Sequence, residues 1–128
     1  IVARIESFIL GKGLKDALKR AEAYSKSGAD AILIHSKEKN PSEIFSFSKK
    51  FLKNKNYVPL IAVPSTYSKT TESQLIKNGF KIVIYANHFL RAIYPAIEST
   101  AKSILINQRS SEVEKKISTV NTVINLIK

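Results

Sequence analysis

A chain of 128 residues with 44% apolar residues is long enough for a domain with a buried core and too apolar for wholesale disorder. It contains no cysteine, which excludes disulfides and thiolate metal sites, and it has no apolar stretch long enough to cross a bilayer. The net charge of +11 comes mostly from lysines scattered over predicted helix faces, without interleaved aromatic residues. We therefore expect a cytoplasmic protein with neither a membrane nor a nucleic acid as its partner.

The first half of the chain predicts two strands, each followed by an amphipathic helix. A β-branched run over 1–5 predicts the first strand, and apolar residues at helical spacing over 14–24 predict a helix that ends before Gly28. The run over 31–34 predicts a second buried strand. The sequence Asn40-Pro41-Ser42-Glu43 then supplies a cap residue, a proline and an acidic residue in the order that starts a helix. Its apolar face comprises Ile44, Phe47 and Phe51, with Phe45 and Leu52 beside them.

A third and a fourth strand follow in the same alternation with helices. The third is predicted over 58–63, with Pro59 near its start, where proline is tolerated. Thr70 or Thr71 is placed to cap a short helix that Asn78-Gly79 ends. The fourth strand is predicted over 80–85.

The end of the chain predicts two more helices. The first spans 88–105, and Pro95 is expected to kink it or to divide it into two segments. After a break at 107–111, a last helix is predicted over 113–127, with apolar residues at steps of four and three. That stripe fits packing against a partner helix and packing back on its own domain equally well.

The order β-α-β-α-β-α-β-α-α predicts an α/β protein with a parallel sheet and right-handed crossovers. Four units form either a small doubly wound sheet or half of a (β/α)8 barrel, which needs about 250 residues when complete. Because the first residues already belong to a strand, we expect the half-barrel and a chain that is a fragment, a processed product or the ordered part of a longer chain. It would be a single partial domain, with four βα units over 1–108 and a terminal helix over 109–128.

Four short apolar runs each end in or near a polar residue that lies at or just past a strand end: Arg4, His35, Ser65 and Asn87. Side chains at the carboxyl ends of parallel strands converge on one face, where ligands bind. Structural roles account for the same residues, since Arg4 has Glu6 nearby as an ion-pair partner and Asn87 is a preferred helix cap. The residues alone leave both interpretations open.

Several segments resemble a known family in order and spacing. The match is most specific around the His-Ser-Lys that follows the second strand. The matching segments are 2–9, 11–14, 17–24, 28–37, 63–65 with Tyr67, Lys69-Thr70, and 86–92. On these residues the chain resembles the phosphoenolpyruvate mutase family of the isocitrate lyase superfamily, in the C-terminal half of its TIM barrel. Lyase branches of that superfamily usually carry glutamate in place of His35, and Arg-Thr-Asp-Ala in place of Arg4-Ile5-Glu6-Ser7.

The resemblance implies an isomerase that interconverts phosphoenolpyruvate and phosphonopyruvate, a reaction of phosphonate biosynthesis. By position, Arg4 and His35 are implied as catalytic residues that hold the transferring phosphoryl group, and Ser65 and Asn87 as further substrate-binding residues. Glu6 is expected to support Arg4. The family also implies Mg²⁺, whose ligands lie in the other half of the barrel, so we expect no metal ligand in this chain and no activity of the chain alone.

Other functions remain open at this point. Phosphonopyruvate hydrolase has the same scaffold and nearly the same ligands, and a non-catalytic half-barrel that serves binding or assembly is the alternative from another class. A carbon–carbon lyase fits less well because of His35. The resemblance also implies a homo-oligomer, a dimer or a tetramer, with the terminal helix exchanged between subunits.

Overall fold

Four parallel strands and three helices make up the first of two units, Ile1–Ala86, in the computed structural model, which describes residues 1–127. The second unit begins at Asn87. Lys128, the last residue of the predicted terminal helix, lies outside the described residues. The strands are β1 (Val2–Ile5), β2 (Ala31–Ile34), β3 (Leu60–Ala62) and β4 (Phe80–Val83), and the helices are α1 (Gly13–Lys26), α2 (Ser42–Phe51) and α3 (Glu72–Lys77).

The strands pair in chain order, β1-β2-β3-β4, and every pair is parallel. Neighbouring strands are therefore always joined through a helix or a helical connection, as the alternating pattern predicted. Alternate strand residues point to opposite faces. The face that carries Ile5, Ile32, Ile34, Leu60 and Ala62 is buried beneath the helices.

The core of this unit is built from the apolar faces that the sequence predicted. Ala17 and Ala21 of α1 and Ile44, Phe47 and Phe51 of α2 are all buried. The rings of Phe47 and Phe51 stack with centroids 5.4 Å apart. Full burial of a large apolar side chain contributes about 1.5–3 kcal/mol, so these residues account for a large part of the stability of the unit.

Of the two predicted helix starts, that of α3 is confirmed, whereas that of α2 differs from the prediction: Pro41 occupies the N-cap position rather than the first helical position, and no side chain caps the helix. Asn40 accepts a hydrogen bond at its Oδ1 from the Ser42 amide at 2.9 Å. Thr71, rather than Thr70, caps α3 in a reciprocal capping box with Gln74.

The third and fourth strands are shorter than predicted. β3 begins at Leu60, because Pro59 has no amide hydrogen for the ladder and contributes only its carbonyl, which accepts from the Ile32 amide. β4 ends at Val83, although the ladder extends one bond further, from the Ile84 amide to the Ala62 carbonyl.

The second unit starts with α4 (His88–Asn107), which continues as one helix through Pro95. Proline removes a single backbone hydrogen bond, which would have ended at the carbonyl of Arg91. Arg91 and Pro95 are exposed, so water can satisfy that carbonyl. The helix ends at Asn107, and the next residue, Gln108, adopts a left-handed conformation with φ 52°. No helix within residues 1–127 is long and apolar enough to cross a membrane.

The prediction of one continuous terminal helix was wrong. The described part of 109–128 consists of turns, a short helix α5 (Val120–Ile124) and a 3-10 turn (Asn125–Ile127). Thr119 adopts an extended conformation and accepts a hydrogen bond at its Oγ1 from the Thr122 amide, which starts a new helix there. Serine and threonine compete in this way with a continuing helix, and the apolar periodicity does not register that competition.

Gly28 and Gly79 both have a positive φ, but only at Gly79 would an added Cβ also overlap a neighbouring side chain. Gly28 (φ +91°) has open space where a Cβ would lie, whereas a Cβ on Gly79 (φ +84°) would lie 2.2 Å from Leu52 Cδ1. We expect alanine to cost about 1–2 kcal/mol of unfolding free energy at either position through the backbone. At Gly79 overpacking should add about 1–3 kcal/mol. Urea denaturation of Gly28→Ala and Gly79→Ala measures the difference, and equal losses would mean that Leu52 moves aside freely.

Candidate active site

Strand register places Arg4, Glu6 and His35 on one face of the sheet. Arg4 of β1 is in register with Leu33 of β2. Since alternate residues share a face, Arg4 and Glu6 lie beside Leu33 and His35. The ladder continues past the strands, because the His35 amide donates to the Ile5 carbonyl at 3.2 Å. The side chains thus emerge together at the carboxyl ends of neighbouring strands, opposite the helix-packed face.

The three side chains form a hydrogen-bonded cluster. Arg4 donates through Nε to Glu6 Oε1, and its Nη2 lies 2.8 Å from His35 Nδ1. Glu6 Oε1 also lies 3.3 Å from His35 Nδ1. The Arg4 side chain remains 57% exposed and that of His35 27% exposed, so a ligand can reach both.

Arg4 lowers the pKa of Glu6. Partial burial disfavours the charged form of this carboxyl, but the hydrogen bond from Arg4 and the proximity of His35 outweigh this, so the pKa of Glu6 lies below its usual value. The carboxylate therefore offsets the charge of Arg4 within the cluster.

The segment after β1 is fixed by a buried serine. Ser7 donates through Oγ to Asp16 Oδ2 of α1 at 2.6 Å, and Arg20 Nε donates to the same oxygen at 2.7 Å. The Ser7 bond and then the Arg20 bond lower the pKa of Asp16. A cavity of about 210 Å³ adjoins this network and is lined by Arg4, Ile5, Glu6, Ser7, Leu10, Arg20 and Tyr24.

The segment after β2 is fixed by residues that the sequence analysis did not single out. Ser36 is fully buried and donates through Oγ to Glu43 Oε2 at 2.7 Å. Its carbonyl accepts from Thr66 Oγ1 at 3.0 Å. Glu43, which the sequence suggested as part of a helix start, instead connects α2 to the side chain of Ser36, the residue after His35. The adjacency of Ser36 to His35 was the available signal.

Ser65 belongs to the first unit and Asn87 to the second, so each is described within its own unit. Ser65 follows β3 in a tight turn, in which its amide donates to the Val63 carbonyl at 2.9 Å. Among residues 1–127, no hydrogen bond joins Ser65 to Arg4 or His35. Asn87 belongs to the second unit and lies directly before α4, where its carbonyl accepts from the Arg91 amide at 3.0 Å. Substrate-binding roles for both remain predictions.

Tyr67 anchors the loop that carries Ser65. Its ring is fully buried in the core, and burial raises the pKa of its hydroxyl to about 12. The Val63 backbone lowers that pKa, but burial acts more strongly, so the net shift is upward. Tyr67 thus fixes the loop through packing and cannot ionise near neutral pH.

The acidic residues of this chain do not fit a Mg²⁺ site. Over residues 1–127, no three side chains of the ligating types histidine, cysteine, aspartate and glutamate lie close enough to hold a metal ion. At the site itself, Glu6 is occupied by Arg4 and His35. A divalent cation prefers several converging oxygen ligands, which this cluster does not offer.

Comparison with known proteins adds sequence evidence to this geometry. The family model described as phosphoenolpyruvate phosphomutase matches residues 1–105. A phosphoenolpyruvate phosphomutase of Tetrahymena pyriformis is 46% identical over 126 residues, which cover 98% of this chain and 41% of that protein. A phosphonopyruvate hydrolase of Variovorax sp. (strain Pal2) is 38% identical over 127 residues, or 98% of this chain and 43% of that protein.

Solved structures also match the chain over nearly its whole length. A phosphoenolpyruvate phosphomutase from Streptomyces platensis subsp. rosaceus superposes with a TM-score of 0.89 at 39% identity, over 98% of this chain and 42% of that one. A phosphonopyruvate hydrolase structure in complex with oxalate and Mg²⁺ gives a TM-score of 0.86 at 38% identity, and 44% of it is covered. The chain thus spans about two fifths of the length of its relatives, and the expectation of four βα units from a TIM barrel is confirmed. By sequence and by fold, it belongs to the phosphoenolpyruvate phosphomutase family.

Proposed function

We propose that the complete protein that carries this chain interconverts phosphoenolpyruvate and phosphonopyruvate. The observation that carries the proposal is the cluster of Arg4, Glu6 and His35 at adjacent strand ends. The relatives named as phosphomutases support the reaction class.

Arg4 suits a phosphoryl group because its guanidinium offers several fixed donors and keeps its charge at any physiological pH. Its exposure leaves it accessible, while its bond to Glu6 holds the side chain in place. Phosphoryl transfer depends mainly on positioning and on electrostatic stabilisation of the oxygens, so Arg4 would act in both ways.

His35 supplies a second contact to the phosphoryl group. Its backbone is held through its amide bond to Ile5 and through the anchoring of the adjacent Ser36. A ring placed so rigidly can meet the phosphoryl oxygens with little reorganisation, which is how preorganised donors stabilise a transition state. Ser65 and Asn87 are proposed as additional substrate contacts.

The proposal leaves Mg²⁺ to other parts of the complete protein. The acidic residues described above do not converge on a cation, and the relatives are more than twice as long as this chain. We propose that metal ligands come from the remaining length of such a protein and that the 128-residue chain alone is inactive.

The Arg4 and His35 assignments predict large losses of activity. In the complete protein, Arg4→Ala should lower kcat/KM for phosphonopyruvate by about 10³-fold and His35→Ala by about 10²-fold or more, since each removes a donor to the transferring group. Arg4→Lys should recover only part of the loss, because lysine cannot form the bidentate contact. Arg109→Ala, which breaks an exposed ion pair with Glu112, is the matched control and should retain normal turnover. Normal turnover in both Arg4→Ala and His35→Ala would refute the site.

Phosphonopyruvate hydrolase is the second candidate, favoured by the 38% identity to the Variovorax enzyme. Hydrolysis would transfer the phosphoryl group to water and yield pyruvate and phosphate, whereas the mutase would yield phosphoenolpyruvate. We predict that phosphonopyruvate supplied to the complete protein with Mg²⁺ gives phosphoenolpyruvate without stoichiometric phosphate release, measured by ³¹P NMR. Phosphate as the main product would establish the hydrolase, and binding without turnover of either kind would favour a non-catalytic module.

We also propose that the complete protein is a homo-oligomer and that the second unit contributes to its interface. An apolar groove in this unit is lined by Ala96, Ile97, Thr100, Ala101, Ile104 and Ile117. Ile97 and Ile104 of α4 and Ile117 of the following turns are exposed, so an apolar surface of another copy can cover them.

Deletion of 111–128 should therefore weaken oligomerisation, and Ile104→Asp should do so by placing a charge in the groove. Sedimentation velocity measures the change. Ser99→Asp adds the same charge to α4 at a position that does not line the groove and should leave the assembly unchanged. An identical sedimentation profile for the deletion and Ile104→Asp would contradict the proposed interface.

A further inference from the structure

A single ring nitrogen of His35 faces two partners with opposite requirements. Nδ1 lies 2.8 Å from Arg4 Nη2 and 3.3 Å from Glu6 Oε1. A guanidinium only donates hydrogen bonds, and an ionised carboxylate only accepts them. Nδ1 must therefore carry a lone pair to bond Arg4 and a proton to bond Glu6, and it cannot do both at once.

The shorter contact defines the resting state. With Nδ1 accepting from Arg4, the imidazole is neutral and its proton lies on Nε2. If the guanidinium moves away, Nδ1 is left facing a carboxylate that is already ionised. That environment favours a proton on Nδ1, because a charge-assisted bond to Glu6 then replaces the bond to Arg4.

We infer that Glu6 is a positioning residue that competes with Arg4 for Nδ1 of His35, so that movement of the guanidinium decides which ring nitrogen carries a proton. The inference concerns hydrogen bonds within this chain and does not depend on a metal. Arg4 and Glu6 are the charged groups that contact the His35 ring among the described residues.

The competition has a consequence for the reaction, and this step rests on the proposed function. A phosphoryl group bound to Arg4 draws the guanidinium donors toward its oxygens and releases Nδ1. Glu6 then accepts a hydrogen bond from a protonated Nδ1 and fixes the plane of the ring. His35 would thus respond to the arrival of the anion, and Glu6 would determine how completely it does so.

The test measures the protonation of the ring nitrogens directly by ¹⁵N NMR spectroscopy. The complete protein is labelled with ¹⁵N-histidine at neutral pH without ligand, and His35→Gln identifies the His35 signals by their absence. The wild type should show an unprotonated Nδ1 and a proton on Nε2. Arg4→Met, which keeps a long side chain without donors, should raise the ratio of protonated to unprotonated Nδ1 at least about tenfold. Adding Glu6→Gln to Arg4→Met should reverse most of that rise.

A remote carboxylate provides the control. Glu22→Gln removes the same charge at a surface pair with Lys26 and should leave the His35 signals of the Arg4→Met protein unchanged. Protonated Nδ1 in the ligand-free wild type, or the same ratio with and without Glu6, would overturn the inference. Saturating phosphoenolpyruvate should move the wild type toward the Arg4→Met spectrum, and binding without that shift would also overturn it. A lack of binding would count against the proposed function instead, and the ligand-free variants would still decide the role of Glu6.

Discussion

The parallel pairing of β1 with β2 is the constraint on which the candidate site depends. Its register sets Arg4 opposite Leu33, and the two-residue period of a strand then brings Glu6 and His35 to the same face. A shift of one residue in either strand would move His35 or Arg4 to the helix-packed face. The register is held from that opposite face, where Ile5 and Ile34 are paired and both buried. The apolar core therefore determines whether the polar cluster can form at all.

The loops add what the register cannot provide, namely rigidity just beyond the strand ends. Ser7 and Ser36 are both buried and both donate to a carboxylate on the helix that follows their strand, Asp16 and Glu43 respectively. Each bond fixes the backbone within one residue of a site side chain, Glu6 in one case and His35 in the other. Loss of either serine hydroxyl would remove one bond between the loop and the following helix, although Asp16 would keep its bond from Arg20. Fold stability and site geometry are thus linked through the same two hydrogen bonds.

The elements predicted well are those whose causes are local. The cap at Thr71, the turn at Asn40 before α2 and the stop at Gly28 follow from side-chain and backbone chemistry within a few residues, so the sequence shows them directly. The prediction of one continuous terminal helix was wrong because Thr119 caps a separate short helix, and the apolar periodicity of the segment gives no sign of that cap. The pairing of Arg4 and His35 was predictable from adjacent strand ends. The contacts among Ser36, Glu43 and Thr66 could not be predicted. Ser36 and Glu43 are 7 positions apart and Ser36 and Thr66 are 30 positions apart, and serine, glutamate and threonine side chains have many other ordinary roles.

The internal ion pair also explains why an arginine can remain exposed at this site without losing its orientation. An unpaired guanidinium in solvent would sample many rotamers, and a ligand would have to order it at an entropic cost. The bond from Arg4 to Glu6 supplies that order beforehand, and because the pair is only partly buried, its electrostatic strength stays modest. Under the proposed function, a doubly charged phosphoryl group would therefore outcompete a single carboxylate for the guanidinium. Glu6 thus serves as a counter-ion that is strong enough to hold Arg4 in position and weak enough to release it.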